Sequence, residues 1–158
     1  VTKQQKLKWR GSIIAYAPIL LWIGVIFFLS SPEASFSQTS RIVGPLLNFF
    51  FPDMPEATKV IVHGYIRKTA HFTEYAVLAL LAFRAFSTSA IHFLQTRCYI
   101  LALTLVVVVA SLDEFNQSFE ASRTSSIWDV ALDISGGVMM VVVLWIFHSR
   151  KTYAQARV

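Results

Sequence analysis

Residues 67–81, "RKTAHFTEYAVLALL", crowd an arginine, a lysine, a histidine and a glutamate into eight positions and follow them at once with an uncharged run. On a soluble helix these charges would be a solvated face; at the mouth of a membrane span they are ionisable groups held against hydrocarbon. Composition decides between the two. Hydrophobic residues make up 55% of the 158 and charged residues 15%, with a mean hydropathy of +0.56, which is more apolar surface than a soluble core of this size can hide. The chain is read as a membrane protein, and the stretch as the polar end of one of its spans.

Working outward, residues 11–32 carry no charge and suffice for one span of roughly 20 residues. The basic start "VTKQQKLKWR" would also suit a signal peptide, but no A-x-A-like site follows and further apolar stretches come later. Those later uncharged runs, 75–83, 98–112 and 134–147, are each too short to cross about 30 Å of hydrocarbon at about 1.5 Å per residue. Their missing turns must come from residues 69–74, 113–119 and 127–133, which brings ionisable groups into the membrane margin. The expected fold is therefore all-α: a polytopic bundle of four transmembrane helices in one domain over 1–158. Spans are expected at about 12–31, 69–90, 98–117 and 127–148, with a long outer loop over 33–66 between spans one and two.

With the first span starting in the cytoplasm, the inner segments hold nine Lys or Arg against five outside, so the positive-inside bias puts both termini in the cytoplasm. Arg67 and Lys68 run against that bias and are read as site chemistry. Within the outer loop, "IVGPLLNFFFP" is too short to span and is interrupted by Pro45 and Pro52. It is expected either as an interfacial or re-entrant segment, with Phe49 to Phe51 at the acyl boundary, or as a loop packed on the bundle.

At about 100° per residue, Arg67, Lys68, His71, Glu74 and Tyr75 share one third of their helix. Asp113, Glu114 and Gln117 share a wedge of the third span, and Asp129, Asp133, Gly136 and Gly137 a wedge of the fourth. Charge exposed to hydrocarbon costs on the order of 2.5–3.5 kcal/mol per residue on insertion scales, so three wedges at one depth should converge.

The blocks "RKTAHFTEYAVLALLAFRAF" and "DEFNQSFEASRTSSIWDVALDISGG", with "FFLSS" closing the first span, resemble the signature blocks of the VanZ-like family. These are small bacterial membrane proteins named for a teicoplanin-resistance determinant. The likeness rests on Lys68, His71, Glu74, Tyr75, Asp113, Glu114, Gln117, Arg123, Asp129 and Gly136 in order and spacing. It implies a four-span bundle in the bacterial plasma membrane, with a role in the cell envelope or in lipoglycopeptide resistance. The chain departs from its relatives at Asn116, where they often have His, and at Ala121 and Ser122, where they have a Pro-Gly turn.

Apart from the outer loop, the cluster holds five acids (Glu74, Asp113, Glu114, Asp129, Asp133) against Arg67, Lys68 and Arg123, plus His71. In low dielectric this excess of acid requires that carboxylates take up protons, that a cation binds, or that His71 charges. Three functions fit. As a binder, the basin would take an amphiphile or lipid headgroup through Arg67, Lys68, Tyr75, Gln117, Arg123, Asp129 and Asp133. As a hydrolase or transferase acting on a lipid-linked phosphate, it would use His71 as base or nucleophile, with Glu74, Asp113 and Glu114 as further catalytic candidates and Arg67, Lys68 and Arg123 clamping the anion. As a structural network, it would lock the helices together through pairs such as Lys68 with Asp129 and Arg123 with Glu114.

One histidine among scattered carboxylates is no metal-ligand signature, so no metal and no cofactor are assigned. The single cysteine, Cys98, excludes an intrachain disulfide. The expected partners are membrane lipids or an amphiphilic ligand. Nucleic acid is excluded because the basic residues are split among short tails without a reading motif. His63 is expected to be solvated in the outer loop, His92 and His148 to lie at the surface, and Gly136 and Gly137 to permit close helix packing.

Overall fold

The structure, a computed structural model, describes residues 3–31, 36–119 and 126–155, with side chains over 13–31, 43–119 and 126–149. Among these residues six helices follow in order: α1 (Lys3–Leu29), α2 (Phe36–Phe50), α3 (Glu56–Ser87), α4 (His92–Thr96), α5 (Cys98–Gln117) and α6 (Ile127–Gln155). Among the described residues there is no strand, so the all-α expectation holds. By length and composition two helices qualify as membrane spans, residues Cys98–Gln117 and Ile127–Ser149, and α1 adds a shorter apolar stretch, Ile13–Leu29.

The helix boundaries have local causes. Pro55 sits immediately before α3 and Glu56 opens it, placing an acid at the positive end of the helix dipole. Ser126 caps α6 in the same sense: its hydroxyl oxygen accepts the N–H of Trp128 at 3.2 Å, satisfying one of the first-turn donors. At the far end of α3 the Thr88 hydroxyl donates to the carbonyl of Arg84 at 2.8 Å.

The helix α3 is the hub, packing against α1, α5 and α6. Its inner seam, Tyr75, Leu78, Ala79, Ala82 and Ala85, recurs every three or four residues and is buried. It meets Ile19 and Ile26 of α1 and Ala102, Val106, Val109 and Ala110 of α5 in one core. Small side chains let the backbones approach, the usual solution where lipid removes the hydrophobic drive between helices. The large apolar groups point the other way: Leu20, Leu21 and Phe28 of α1, Ile100, Val108 and Leu112 of α5, and Val142, Trp145 and Phe147 of α6 are all exposed. Apolar outside with polar and small inside is the pattern that a lipid solvent selects.

Contacts along the helices fix their directions. Tyr16 donates to Ser89 at 3.2 Å and the Trp22 indole donates to the Glu74 carbonyl at 2.9 Å, so α1 and α3 are antiparallel. Phe83 stacks on Tyr99 with ring centroids 4.8 Å apart while Tyr75 meets Asp113, so α3 and α5 are antiparallel too. Lys68 faces Asp129 and His71 faces Asp133, so α3 and α6 run parallel.

The segment expected as a long loop differs from that expectation. Most of 33–66 is helical rather than irregular: α2 occupies Phe36–Phe50 despite Pro45, and α3 begins at Glu56. At 32 residues α3 is about 48 Å long, so it exceeds about 30 Å of hydrocarbon and carries residues formerly read as loop. His63 is accordingly buried on α3 rather than solvated. Burial, and then the positive Arg67 one turn later, lower its pKa from the ordinary value. Phe49, Phe50 and Phe51 are exposed.

Candidate functional site

Four helices deliver polar groups to one level. The α3 wedge places His71 one turn before Glu74 and Tyr75, α5 brings Asp113, Glu114 and Gln117, α6 brings Asp129 and Asp133, and Ser30 arrives just past the end of α1. Asp113 lies at the bottom, fully buried together with Tyr75. Its Oδ2 accepts from the Ser30 hydroxyl at 2.8 Å, the Gln117 amide at 2.9 Å and the Tyr75 hydroxyl at 3.4 Å. Three donors on one oxygen hold the carboxylate in a single orientation. Its other oxygen, Oδ1, is buried with no hydrogen-bond partner among the described residues.

One turn higher, His71 Nδ1 stands 3.9 Å from both Glu74 Oε2 and Asp133 Oδ1. One donor atom each from His71, Asp113 and Asp133 lies within 4.8 Å of the other two. At the rim, Lys68 Nζ is 3.8 Å from Asp129 Oδ1, and the Lys68 side chain is 61% exposed. Arg67 is half-buried beside it. The site therefore grades from an exposed cation to a fully buried carboxylate within about two helical turns of α3.

Two glycines make this convergence geometrically possible. A Cβ on Gly136 would collide with the Phe72 backbone carbonyl, and one on Gly137 would come within 2.7 Å of Val106 Cγ1. Without side chains there, α6 lies directly on α3 and α5, and Asp133 one turn earlier reaches His71. Close packing, the reading expected from sequence, accounts for both positions.

The expected residues sort clearly. His71, Glu74, Tyr75, Asp113, Gln117 and Asp133 come together, with Lys68 and Asp129 paired above them as the structural reading anticipated. Glu114 is buried but turned elsewhere: its Oε1 accepts the backbone N–H of Ser126 at 2.5 Å, tying the end of α5 to the start of α6. The Tyr75 hydroxyl is engaged by Asp113. Arg123 lies outside the described residues. His92 and His148 are exposed as expected.

Sequence reasoning missed Ser30 and Trp22. Ser30 is 83 positions from Asp113, and its signals were a place in the "FFLSS" block and a hydroxyl at the end of an otherwise apolar stretch. Trp22 sits mid-span, away from either headgroup level where tryptophans anchor, and that misfit was the cue to its bond with the Glu74 carbonyl.

Comparison with curated proteins and with solved structures found no match. The model of the VanZ/LLP1 family does match, over residues 14–148. That span runs from α1 to α6 and contains every residue of the polar cluster, in agreement with the resemblance read from the two signature blocks. An inside-out helical packing, two helices fit to cross a bilayer and a family match over most of the chain lead to one assignment: this is a membrane protein belonging to the VanZ/LLP1 family.

Proposed function

We propose that the chain crosses the bacterial plasma membrane four times, through α1, α3, α5 and α6, with both termini in the cytoplasm. Its polar cluster then opens at the outer face and binds the anionic headgroup of an amphiphile or lipid-linked ligand. The observation that carries this reading is the gradient itself. A purely structural ion pair needs no approach route, whereas here the exposed Lys68 and half-buried Arg67 stand directly above the partly buried His71 and the buried Asp133 and Asp113. Exposed phenylalanines at 49–51, at the C-terminal end of α2, would meet acyl chains beside it. Capture of an amphiphile at this surface is also the route by which such a protein would contribute to lipoglycopeptide resistance.

The test is to purify the protein in mild detergent and identify co-extracted lipids by native mass spectrometry, beside the Arg67→Gln/Lys68→Gln variant. An anionic amphiphile retained by the parent and reduced at least about tenfold in the variant is the expected result. Equal retention by both overturns the reading.

A second reading, a hydrolase or transferase acting on a lipid-linked phosphate, draws on a separate observation: His71 Nδ1 is flanked at 3.9 Å by two carboxylates. This is the environment of a general base oriented by an acid. His71→Gln separates the two readings. Turnover lost with binding retained favours the enzyme, and binding lost in proportion favours the binder.

A further inference from the structure

We propose that His71, Asp113 and Asp133 bind one divalent transition-metal ion of the zinc or manganese type. Each comes from a different helix, and one donor atom from each lies within 4.8 Å of the other two. Around an ion bonded at about 2.0–2.2 Å in tetrahedral geometry, ligand atoms stand about 3.3–3.6 Å apart. Side-chain rotations that draw the widest pair together by roughly 1 Å would complete the shell.

Asp113 gives the stronger indication. Its Oδ2 is saturated by Ser30, Gln117 and Tyr75, while the fully buried Oδ1 has no hydrogen-bond partner among the described residues. An unsatisfied carboxylate oxygen in a dry interior is costly. A carboxylate fixed by outer hydrogen bonds with one oxygen left over is how metal ligands are held in place. No described Lys or Arg forms an ion pair with Asp113 or Asp133; the nearest cationic pairing is Lys68 with Asp129, one turn above. Two acids beside a third, Glu74, thus converge with no described Lys or Arg paired to Asp113 or Asp133, and a dication offsets their charge.

One imidazole nitrogen and two carboxylate oxygens suit zinc or manganese better than the all-oxygen preferences of magnesium or calcium. Three protein ligands leave at least one coordination position open. Resting on the headgroup reading, that position takes a phosphate or carboxylate oxygen of the amphiphile, which explains how an anion is tolerated above an acidic floor. On this account His71 is a ligand rather than a free base.

The experiment uses the full chain in detergent, stripped with chelator, dialysed against micromolar zinc or manganese and assayed by plasma emission spectrometry and calorimetry. About one ion per chain is expected. Asp133→Asn and His71→Gln should weaken binding roughly 100-fold, whereas Glu56→Gln, at the exposed start of α3, should change it less than about threefold. X-ray absorption of the loaded parent protein should show an N/O shell at about 2.0–2.2 Å with outer scattering from one imidazole, a readout that survives if the variants misfold. Failure to retain either ion, parental affinity in Asp133→Asn, or a shell without imidazole would overturn the site. Metal content is read whether or not a lipid co-purifies, so the two proposals fail independently.

Discussion

The two halves of α3 are held to their neighbours by opposite means. From Tyr75 onward, the seam of Leu78, Ala79, Ala82 and Ala85 packs apolar surface against α1 and α5 with no polar side chain. Before it, Lys68 meets Asp129 at 3.8 Å and His71 meets Asp133 at 3.9 Å, with Glu74 3.9 Å from His71 on the same helix. The first half is specified by shape alone. The second leaves buried charge only loosely paired, a poor design for stability and a reasonable one for receiving a ligand.

Breaking the closest backbone contact, which lies beside the polar half, should cost most. Gly136→Ala forces a methyl group into the Phe72 backbone carbonyl, which cannot rotate away. We expect a loss of about 3 kcal/mol or failure to accumulate. Gly137→Ala meets only the Val106 side chain and should cost about 1–2 kcal/mol. Thermal melting of the detergent-solubilised proteins ranks the two, and equal stabilities would mean that α6 does not lie on α3 at Phe72.

An intermediate effect is expected at the base of the cluster. Asp113→Ala removes the acceptor of three hydrogen bonds from Ser30, Gln117 and Tyr75 and should destabilise by about 2 kcal/mol. Asp113→Asn, which keeps one acceptor oxygen, should recover about half. If alanine and asparagine behave alike in the same melting assay, the oxygen that accepts those three bonds has been misassigned.

The smallest effect belongs to the rim. Lys68→Met breaks an exposed pair at 3.8 Å and should shift stability by less than about 1 kcal/mol, while lowering retention of an anionic lipid. A large stability loss here would make the rim a structural lock and return the polar half of α3 to the same category as the alanine half.

How much of this was legible beforehand varies along the chain for physical reasons. The starts of α5 and α6 follow from apolar runs with polar ends, and the convergence of His71, Asp113 and Asp133 follows from the cost of charge in lipid, which needs no knowledge of the fold. The start of α3 was hidden because residues 56–66 lack the apolar period of a span; the helix begins well before the apolar run, in polar sequence that reads as loop. Burial of His63 went with that error. Ser30 could not be matched to Asp113 because nothing local encodes a partner 83 residues away. Glu114 shares the wedge of Asp113, yet bonds the backbone of Ser126, a distinction that helical angle alone cannot draw.

The account depends most on α3 and α6 running side by side in the same direction, since only then do Lys68, His71 and Phe72 meet Asp129, Asp133 and Gly136. Thr69 and Ala131 are both exposed near this level, and spin labels placed there in a Cys98→Ala background report the arrangement directly by pulsed EPR in lipid nanodiscs. Helix axes about 8–10 Å apart predict a label separation below about 25 Å. A distance beyond about 30 Å, the offset an antiparallel pair of these lengths would impose, would contradict the parallel pairing and take the cluster with it.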